Sequence, residues 1–454
     1  MLTEKLSQFI VETDFEDLPE PVVERAKHHI LDCLGVILAG SKHPLARQML
    51  NHFQSLGGAR QAGIIGCAFK TSAPQAAFVN ATMGHVLDFD DDSDTMVSHP
   101  TVTILPAVLA LGEKGSSGKD LLAAYVLGLE VCARIASQPG FLPGHYEGGW
   151  HTTSTLGVLN SVAGSAKILG LDVNQVRSAF GIAASEVSGL RINFGSMMKP
   201  VHAGSASAKG VSSALLAKAG ITANPDIFEC SKGFYDLYGH LSTVDEAILT
   251  DSLGKDFDIV TPGMNIKKYP CCYYTHAAID ALFFLTKKYH LSPDDVRKIQ
   301  CGISSIAFDV LKYDAPANGT EAKFSMPYCM ARALLDHQVL IEDFGDERVN
   351  NADVRKWMNI VDKIVEPFMD EPGKSLGVCL QVTTMDGQTH THEIIKALGG
   401  AENPLPWDAV VSKFKTCASR VLDEKDSSKI VSDIEHLEEV AHIGDILDTL
   451  SKGS

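Results

Sequence analysis

The chain has 454 residues, of which 45% are hydrophobic and 21% are charged, and its formal net charge is −17 at pH 7. This composition is typical of a globular protein with two or three domains. The acidic excess argues against nonspecific binding to nucleic acid or to anionic lipid, so an anionic substrate would need a local cluster of basic residues.

The ten cysteines are scattered along the chain without a C-x-x-C pair, so the sequence predicts neither a zinc site nor a thioredoxin motif. Free thiols are typical of a reducing compartment. The segment "MLTEKLSQFIVETDFEDLPE" carries acidic residues where a signal peptide has basic ones, and the longest apolar runs are too short to span a membrane. We therefore expect a cytoplasmic protein without a membrane or nucleic-acid partner.

Residues 1 to about 263 have the pattern of successive helices. The segment "PEPVVERAKHHILDCLGVILAG" starts with prolines, has apolar residues at helical spacing and ends at Gly40. Similar patterns predict further helices at about 100–113, 119–136, 152–169, 174–188 and 201–219. The last of these is rich in small residues, which allow neighbouring helix backbones to approach closely.

The pattern changes after "GMNIKKYP". "VRKIQCGISSIAF" contains a short strand-like run, and "SLGVCLQVTTMDGQTHTHEI" predicts two strands joined at Asp386-Gly387. Helical patterns return from about residue 400. We therefore predict a mainly α fold, in which an all-helical domain formed by residues 1–263 and 397–454 contains an inserted, smaller α+β domain at 264–396. Its Gly- and Pro-containing junctions suit hinges, so we expect the inserted domain to move as a lid.

Three basic side chains come directly before predicted helices. His99 precedes Pro100, His151 precedes "TTSTLGVLNSVAGSAKILG", and Lys199 precedes Pro200 and the small-residue helix. The free N–H groups and the positive dipole end of a helix start attract anions. If the three helix starts converge, they form a carboxylate-binding pocket. Taken singly, each residue could instead be an ordinary capping or surface residue.

Five aspartates lie within seven residues of the segment "GHVLDFDDDSDTMVSHP". An EF-hand loop starting at Asp88 would need Gly where Ser93 stands and Glu where His99 stands, so the calcium interpretation fails. "DDDSD" also matches the D-D-x-x-D motif of helical prenyl-diphosphate enzymes, which bind Mg²⁺, but no second acidic motif follows. The sequence therefore predicts no metal site.

A solvated acidic loop is the simplest interpretation of most of the residues from Asp90 to Asp94. Asp88 differs from them because it closes the apolar pattern "HVLDF". We expect it to be partly buried, where a carboxylate can orient a histidine or stay protonated. Asp88 is therefore the aspartate that we single out as a candidate functional carboxylate.

Five blocks in order resemble the MmgE/PrpD family: "GHVLDFDDDSDTMVSHPTVTILPA", "GWHTTSTLGVLNSVAGSAKILGL", "MMKPVHAGSASAKG", "IKKYPCCYYTHAAIDA" and "EAKFSMPYCMARALL". The resemblance covers essentially the whole chain. It implies a helical large domain, a smaller α+β lid domain, a homodimer, and a site that binds di- or tricarboxylic acids without a metal or another cofactor.

The resemblance also implies site residues, position by position. The expected catalytic residues are Asp88, His99, His151, Lys199 and Tyr313. Residues expected to contact the substrate are Asp92, Tyr146, His202 and His276. The stretch from Asp88 to His99 is one residue longer than the family's decarboxylases lead us to expect, and Asp92 or Ser93 stands where they have Thr. An extra carboxylate there would repel a tricarboxylate unless it points away.

Di- and tricarboxylic acids can be transformed by moving one proton at a carbon atom, provided that cations bind their carboxylates. We expect His99 to be the general acid/base, oriented by Asp88, and Lys199 to bind a carboxylate. His151 would be a second acid/base or a hydrogen-bond donor to a substrate carboxylate. Tyr146 could be the base on the opposite face of the substrate that an epimerase needs. His202 and His276 are also compatible with structural roles.

The resemblance thus implies a lyase, most similar to cis-aconitate decarboxylase or 2-methylcitrate dehydratase. Two alternatives stay open. The first is an epimerase of a dicarboxylate such as iminodisuccinate. The second is a non-catalytic, helical, dimeric binding protein, which would have been free to lose His99 and Lys199. Both residues are present, which favours an enzyme.

Overall fold

A computed structural model describes residues 1–452 of the chain. It divides into two compact units. The first unit comprises Met1–Val86, Asp90–Asn265 and the residues from Pro406 onward, and the second comprises Leu87–Phe89 and Ile266–Leu405. The long segment of the second unit begins two residues later and ends nine residues later than the inserted segment 264–396 that the sequence suggests, and Leu87–Phe89 is an unpredicted addition to the unit.

The later C-terminal boundary has a simple cause in hydrogen bonding. The backbone N–H of Ile266 donates to the carbonyl oxygen of Gly399 at 2.8 Å, and the N–H of Leu398 donates to a carboxylate oxygen of Asp280 at 3.0 Å. These bonds tie the stretch after residue 396 to the second unit. No periodic pattern in the sequence marks such contacts.

The first unit is mainly helical, as the sequence predicts. Its helices before the second unit are α1 (Leu2–Glu12), α2 (Glu20–Gly40), α3 (Pro44–Leu56), α4 (Ala73–His85), α5 (Thr101–Gly112), α6 (Gly118–Ala136), α7 (Thr152–Ile168), α8 (Val173–Ser185), α9 (Met198–Lys218), α10 (Phe234–Gly239) and α11 (Glu246–Thr250).

The first unit also contains a small hairpin, so it is not all-helical as expected. Strands β1 (Ala62–Ile64) and β2 (Cys67–Thr71) pair antiparallel. The turn between them contains Gly66 at φ 74°, a left-handed conformation that glycine adopts without strain. The short run "AGIIGCAFKT" lies between two strong helical patterns and is too brief to predict a hairpin.

Small residues let the helices of the first unit pack closely, as the sequence predicts. A Cβ atom at Gly204 of α9 would lie 2.5 Å from the carbonyl oxygen of Phe78 on α4. A Cβ atom at Gly210 would lie 2.2 Å from the hydroxyl oxygen of Ser161 on α7. Because protein interiors are close-packed, a larger residue at either position would push these helices apart.

The second unit combines helices with a sheet. Its helices are α12 (His276–Tyr289), α13 (Ser305–Val310), α14 (Gly319–Ala322), α15 (Met326–Asp336), α16 (Asp346–Val349) and α17 (Ala352–Met358). Its strands are β3 (Val296–Ile303), β4 (Val361–Val365), β5 (Val378–Thr384) and β6 (Thr389–Ile394). This composition agrees with the predicted α+β character.

The four strands form one sheet in the order β4-β3-β5-β6. The β3 and β4 strands are parallel, and the other neighbours are antiparallel. The turn from β5 to β6 contains Asp386 and Gly387, and Gly387 has a φ of 88°. The hairpin predicted at these two residues is therefore confirmed.

Helices α18 (Trp407–Ala418), α19 (Glu424–Glu435) and α20 (Ile443–Leu450) return to the first unit, and α18 packs against α2. Among residues 1–452, no helix is both long enough and apolar enough to cross a lipid bilayer.

Three helix starts carry the basic residues singled out in the sequence. Helix α5 begins two residues after His99, and His151 is the N-cap residue of α7. Helix α9 begins at Met198, three residues earlier than predicted, so Lys199 lies in its first turn rather than before it. Pro200 does not prevent this, because the N–H that proline lacks has no helical partner in a first turn.

Candidate active site

The acidic segment before α5 is folded into the first unit, so the expected solvated loop is wrong. Asp90 and Asp91 are fully buried, and Asp92 and Asp94 are half-buried. Asn265 explains part of this burial, because it exchanges two backbone hydrogen bonds with Asp92, at 2.8 and 2.9 Å. Its side-chain amide also donates to Asp94 at 2.7 Å.

The same segment contains a strained residue. Val97 has a φ of 48°, a left-handed conformation that a β-branched residue rarely adopts. Its carbonyl oxygen accepts a hydrogen bond from the Thr152 hydroxyl at the start of α7. Strain of this kind is found mainly at functional sites, where the surrounding structure holds it in place. Here the strained residue comes two positions before His99.

His99 is held in one tautomer by the backbone of the acidic segment. Its Nδ1 lies 2.6 Å from the carbonyl oxygen of Asp91. A carbonyl oxygen only accepts hydrogen bonds, so Nδ1 must carry the proton, and the Nε2 of the neutral ring has the lone pair. Oδ2 of Asp92 lies 3.7 Å from this Nε2, and Oδ2 of Asp90 lies 3.6 Å from Nδ1.

A second buried histidine, His85, lies beside His99. It is the last residue of α4, and its Nδ1 lies 2.8 Å from Oδ2 of Asp90. Its ring centroid is 4.6 Å from that of His99 and 6.2 Å from that of His151. Sequence reasoning missed both His85 and Asp90. The available signal was a histidine that follows an apolar helix and comes five residues before an aspartate.

His151 and His202 form a pair of buried histidines on the other side of His85. Their Nδ1 atoms lie 3.0 Å apart, so one nitrogen donates to the other. Burial and the nearby ammonium group of Lys199 hold the pKa of His151 well below its usual 6.5. Burial, Lys199 and Lys209 lower the pKa of His202 from 6.5 to about 4. Both rings are therefore neutral at pH 7.

Lys199 is a buried cation next to this pair. Its side chain is 6% exposed, and its Nζ lies 5.3 Å from the centroid of the Phe194 ring. The Phe194 ring in turn packs edge-on against His151, with centroids 4.8 Å apart. The structure thus brings His99, His151, His202 and Lys199 into one cluster, with His85 between the first two.

Tyr146 lies in a short π-helical turn of the first unit, at Pro143–Glu147. The guanidinium carbon of Arg191 lies 4.3 Å from the Tyr146 ring centroid, and Nη1 of Arg191 donates to the Tyr146 carbonyl oxygen at 3.0 Å. The tyrosine is buried. A cation held on its ring places positive charge beside the residue that the sequence suggested as a base.

Asp88 belongs to the second unit, where its Oδ1 lies 2.9 Å from Nζ of Lys267. It is buried, as predicted, and has a φ of 53°. The sequence assigned the orientation of His99 to this carboxylate. That role of Asp88 stays a prediction, and a short bond to the His99 ring comes from the main chain of Asp91, a residue that the sequence placed in a solvated loop.

Two further candidates also lie in the second unit. Tyr313 is half-buried, Lys312 lies 5.3 Å from its ring centroid, and partial burial raises the pKa of its hydroxyl. His276 begins α12, is fully buried, and has its Nε2 3.2 Å from the carbonyl oxygen of Cys271. This contact suits the structural role that the sequence also allowed for His276.

Three side chains of the first unit could also offer metal ligands. One ligand atom each from His85, Asp90 and His99 lies within 4.8 Å of the others. Imidazole and carboxylate groups of this kind bind divalent transition metals. The Nδ1 hydrogens of both rings are already given to oxygen acceptors, at 2.8 Å for His85 and 2.6 Å for His99. A histidine that binds a metal through Nε2 commonly donates its Nδ1 hydrogen in this way, so these two bonds are compatible with a metal as well as with proton transfer.

Comparison with known proteins decides the family. The family model of the MmgE/PrpD N-terminal domain matches residues 4–247, and that of the MmgE/PrpD C-terminal domain matches residues 269–438. The chain belongs to the MmgE/PrpD family. The two matches together cover most of the chain.

Several relatives of this MmgE/PrpD chain are named cis-aconitate decarboxylase. The mouse protein is 27% identical over 100% of this chain and 93% of its own length. The human protein is 27% identical over 100% of this chain and 95% of its own length. The Aspergillus terreus protein is 26% identical over 96% of this chain and 93% of its own length.

Proposed function

We propose that this MmgE/PrpD protein is a lyase that moves one proton at a carbon atom of a di- or tricarboxylic acid, without a metal or another cofactor. The observation that carries the proposal is a buried cluster in which a carboxylate-flanked histidine, His99, lies near a cationic lysine, Lys199, and a neutral histidine, His151. Burial strengthens every electrostatic interaction in such a cluster.

His99 is the general acid in this proposal. Its Nδ1–H is fixed on the Asp91 carbonyl, so a transferable proton would sit on Nε2. The carboxylate of Asp92 lies 3.7 Å from that nitrogen and favours the charged imidazolium ring. Asp92 would thus keep His99 protonated. The positive charge of His99 would in turn reduce the repulsion between Asp92 and a substrate carboxylate.

Lys199 and His151 bind the substrate in this proposal. The lysine offers a buried cation, and an ion pair between it and a substrate carboxylate is stronger there than in water. His151 stays neutral, so it can donate or accept a hydrogen bond without adding charge. A tricarboxylate would then lie with its charge toward Lys199 and its reacting carbon toward His99.

Two lyase reactions fit this arrangement. In a decarboxylation, the bond between carbon and a carboxylate breaks, CO₂ leaves, and the electron pair takes a proton at carbon from His99. In a dehydration, a C–H and a C–O bond break, water leaves, and a double bond forms. We place the decarboxylation of cis-aconitate first, because the near full-length relatives described above carry that name.

An NMR assay in D₂O tests the proposal. The purified protein is incubated separately with cis-aconitate, 2-methylcitrate and iminodisuccinate, with the His99→Gln variant as the control. We expect cis-aconitate to lose CO₂ and to take deuterium at a product carbon. Deuterium exchange at the stereocentre of iminodisuccinate, without loss of CO₂ or water, would favour the epimerase alternative. Binding of the acids without turnover of any would contradict a lyase and favour a binding protein.

We also propose that the protein works as a homodimer. Leu190, Ile192 and Met197 are each at least half exposed, and they flank Phe194, which contacts His151. Exposed apolar patches of this kind mark protein interaction sites. Light scattering should give a dimer for the wild type and a monomer for Ile192→Lys. A monomeric wild type at micromolar concentration would contradict the proposal.

A further inference from the structure

We infer that His29, on helix α2, is a positioning residue that fixes the ring of His99 by holding Asp91 between them. The inference rests on the proposed role of His99 and adds a residue remote from the helix starts. His29 is 2% exposed and Asp91 is 1% exposed. Both lie in the first unit.

The Asp91 carboxylate is held by donors from different elements. Nδ1 of His29 lies 2.8 Å from its Oδ2, so α2 supplies one donor. The Thr101 hydroxyl donates to the same oxygen, and the Thr101 backbone N–H lies 3.4 Å from Oδ1. A carboxylate at the first residue of α5 is also favoured by the dipole of that helix.

The direction of these bonds is fixed by the chemistry of the groups. The Thr101 hydroxyl donates its one hydrogen to Asp91. The Tyr125 hydroxyl, 2.6 Å away, must therefore donate to the Thr101 oxygen. The chain of donors therefore runs from Tyr125 through Thr101 to Asp91, and from His29 to Asp91. With its side chain fixed in this way, Asp91 has its main-chain carbonyl aimed at His99.

The same residue thus has two functions. Its side chain accepts from α2 and α5, and its carbonyl oxygen accepts from Nδ1 of His99 at 2.6 Å. The second bond decides which ring nitrogen of His99 carries the proton in the neutral state. If Asp91 could shift, His99 could turn or change tautomer, and its Nε2 would no longer face the reacting carbon as an acid or base.

Packing alone does not require a histidine at position 29. Its neighbours on α2, Ile30 and Leu31, are apolar and fully buried, as is Leu34. A buried polar ring costs free energy unless it is hydrogen-bonded, so an apolar side chain would serve the core better. The bond to Asp91 is the contact that offsets this cost.

Three variants test the inference. His29→Leu keeps the volume of the core but removes the donor, whereas His29→Asn places an amide nitrogen near the position of Nδ1. His28→Leu is the matched control, because this neighbouring histidine packs against Trp407 with ring centroids 5.1 Å apart. For His29→Leu, we expect kcat to fall about 10- to 100-fold, the effect of a lost hydrogen bond to a charged group. KM should stay near the wild-type value, His29→Asn should recover most of the loss, and the control should match the wild type.

NMR of ¹⁵N-labelled histidines supplies a readout that general destabilisation would not change. The His99 signal is assigned by its loss in His99→Gln. In the wild type at alkaline pH, we expect the neutral His99 ring to have its hydrogen on Nδ1, and in His29→Leu we expect a mixture of tautomers. A folded His29→Leu variant with the wild-type tautomer would overturn the inference.

If His29→Leu does not fold, Thr101→Val and His29→Asn replace it. Thr101→Val removes a different donor to the same carboxylate and should also mix the tautomers, whereas His29→Asn should not. A wild-type tautomer in Thr101→Val would then overturn the inference. The tautomer is measured without substrate, so this test is independent of the reaction. If His99→Gln retains full turnover, the proposed function fails while the tautomer result still decides the inference.

Discussion

His99 and His151 are both buried histidines beside the start of a helix, but their surroundings carry opposite charge. Carboxylate oxygens of Asp90 and Asp92 lie within 3.6 and 3.7 Å of the His99 ring. His151 instead lies beside the neutral His202 and the ammonium group of Lys199, which contributes to its lowered pKa. Two identical side chains therefore have different electrostatic surroundings, which suit the two different roles that we propose for them.

In the proposed function, the neighbours of each histidine, and not its residue type, assign its role. A helix start favours negative charge near both histidines and so disfavours an imidazolium ring. The carboxylates at His99 oppose that effect, whereas Lys199 adds to it at His151. A site that separates the pKa values of two histidines in this way can hold one as an acid and the other as a neutral hydrogen-bonding group at the same pH.

The largest effect is expected from removal of the acid. His99→Gln keeps much of the size and hydrogen bonding of the side chain but cannot transfer a proton. We expect kcat to fall by about 10²–10⁴, the usual range for lost acid/base catalysis, with little change in KM. Steady-state kinetics measures both, with the exposed His52→Gln on α3 as the control. Turnover at the wild-type rate would move the acid role to another residue, such as His151.

The next largest effect is expected from removal of the cation. Lys199→Met keeps the packing over Phe194 but removes the charge. We expect kcat/KM to fall about 30- to 1000-fold through both parameters, because a substrate carboxylate loses its buried partner. The pKa of His151 and of His202 should also rise, since Lys199 helps to lower both.

The control for this variant is Lys218→Ala, an exposed lysine on the same helix. It should leave both kinetic constants and both pKa values unchanged. If Lys199→Met changes the two pKa values but not KM, the lysine sets the electrostatics of the cluster and does not bind the substrate.

The sequence predicts the cation side of this comparison better than the carboxylate side. His151 and Lys199 lie at helix starts, and a helix start can be predicted from periodicity and capping. The folding of the acidic segment depends on Asn265, which is distant in the chain and bonds Asp92 and Asp94, and on Thr101, which bonds Asp91. A run of aspartates has the composition of a solvated loop, so composition gave the wrong prediction here.

The same reason limits what the sequence predicts of the fold. The helices and the hairpin at Asp386-Gly387 follow from local patterns, and they are present within about three residues of the predicted positions. The last nine residues of the second unit and the role of His29 depend on single long-range hydrogen bonds. Such bonds leave no period in the sequence.

A smaller effect is expected on stability. The pKa of His202 is about 4 in the folded protein, below its usual 6.5. As the pH falls from about 6.5 to about 4, the unfolded chain takes up a proton at this residue that the folded chain does not, so stability is lost. Urea unfolding across this range should give a smaller pH slope for His202→Asn, by at most about 1.4 kcal/mol per pH unit. An unchanged slope would mean that folding does not lower the pKa of His202.

The smallest effect is expected from metal removal. Dialysis against EDTA should leave the activity on the preferred acid unchanged, because the acidic segment fits neither the EF-hand pattern nor the paired acidic motifs of the Mg²⁺-dependent prenyl-diphosphate enzymes. Loss of activity that returns on addition of Zn²⁺, Fe²⁺ or Mg²⁺ would show instead that the reaction needs a metal, for which His85, Asp90 and His99 are candidate ligands.

The most direct test of the comparison is a pH titration of the histidine rings by NMR in the full-length protein without substrate. His99 and His151 are assigned by the loss of each signal in His99→Gln and His151→Gln. We predict that, as the pH falls, His99 takes up its proton first, while His151 is still neutral at about pH 6.5, the ordinary midpoint for histidine. Protonation of His151 before His99, or of both at the same pH, would contradict the division of roles between them.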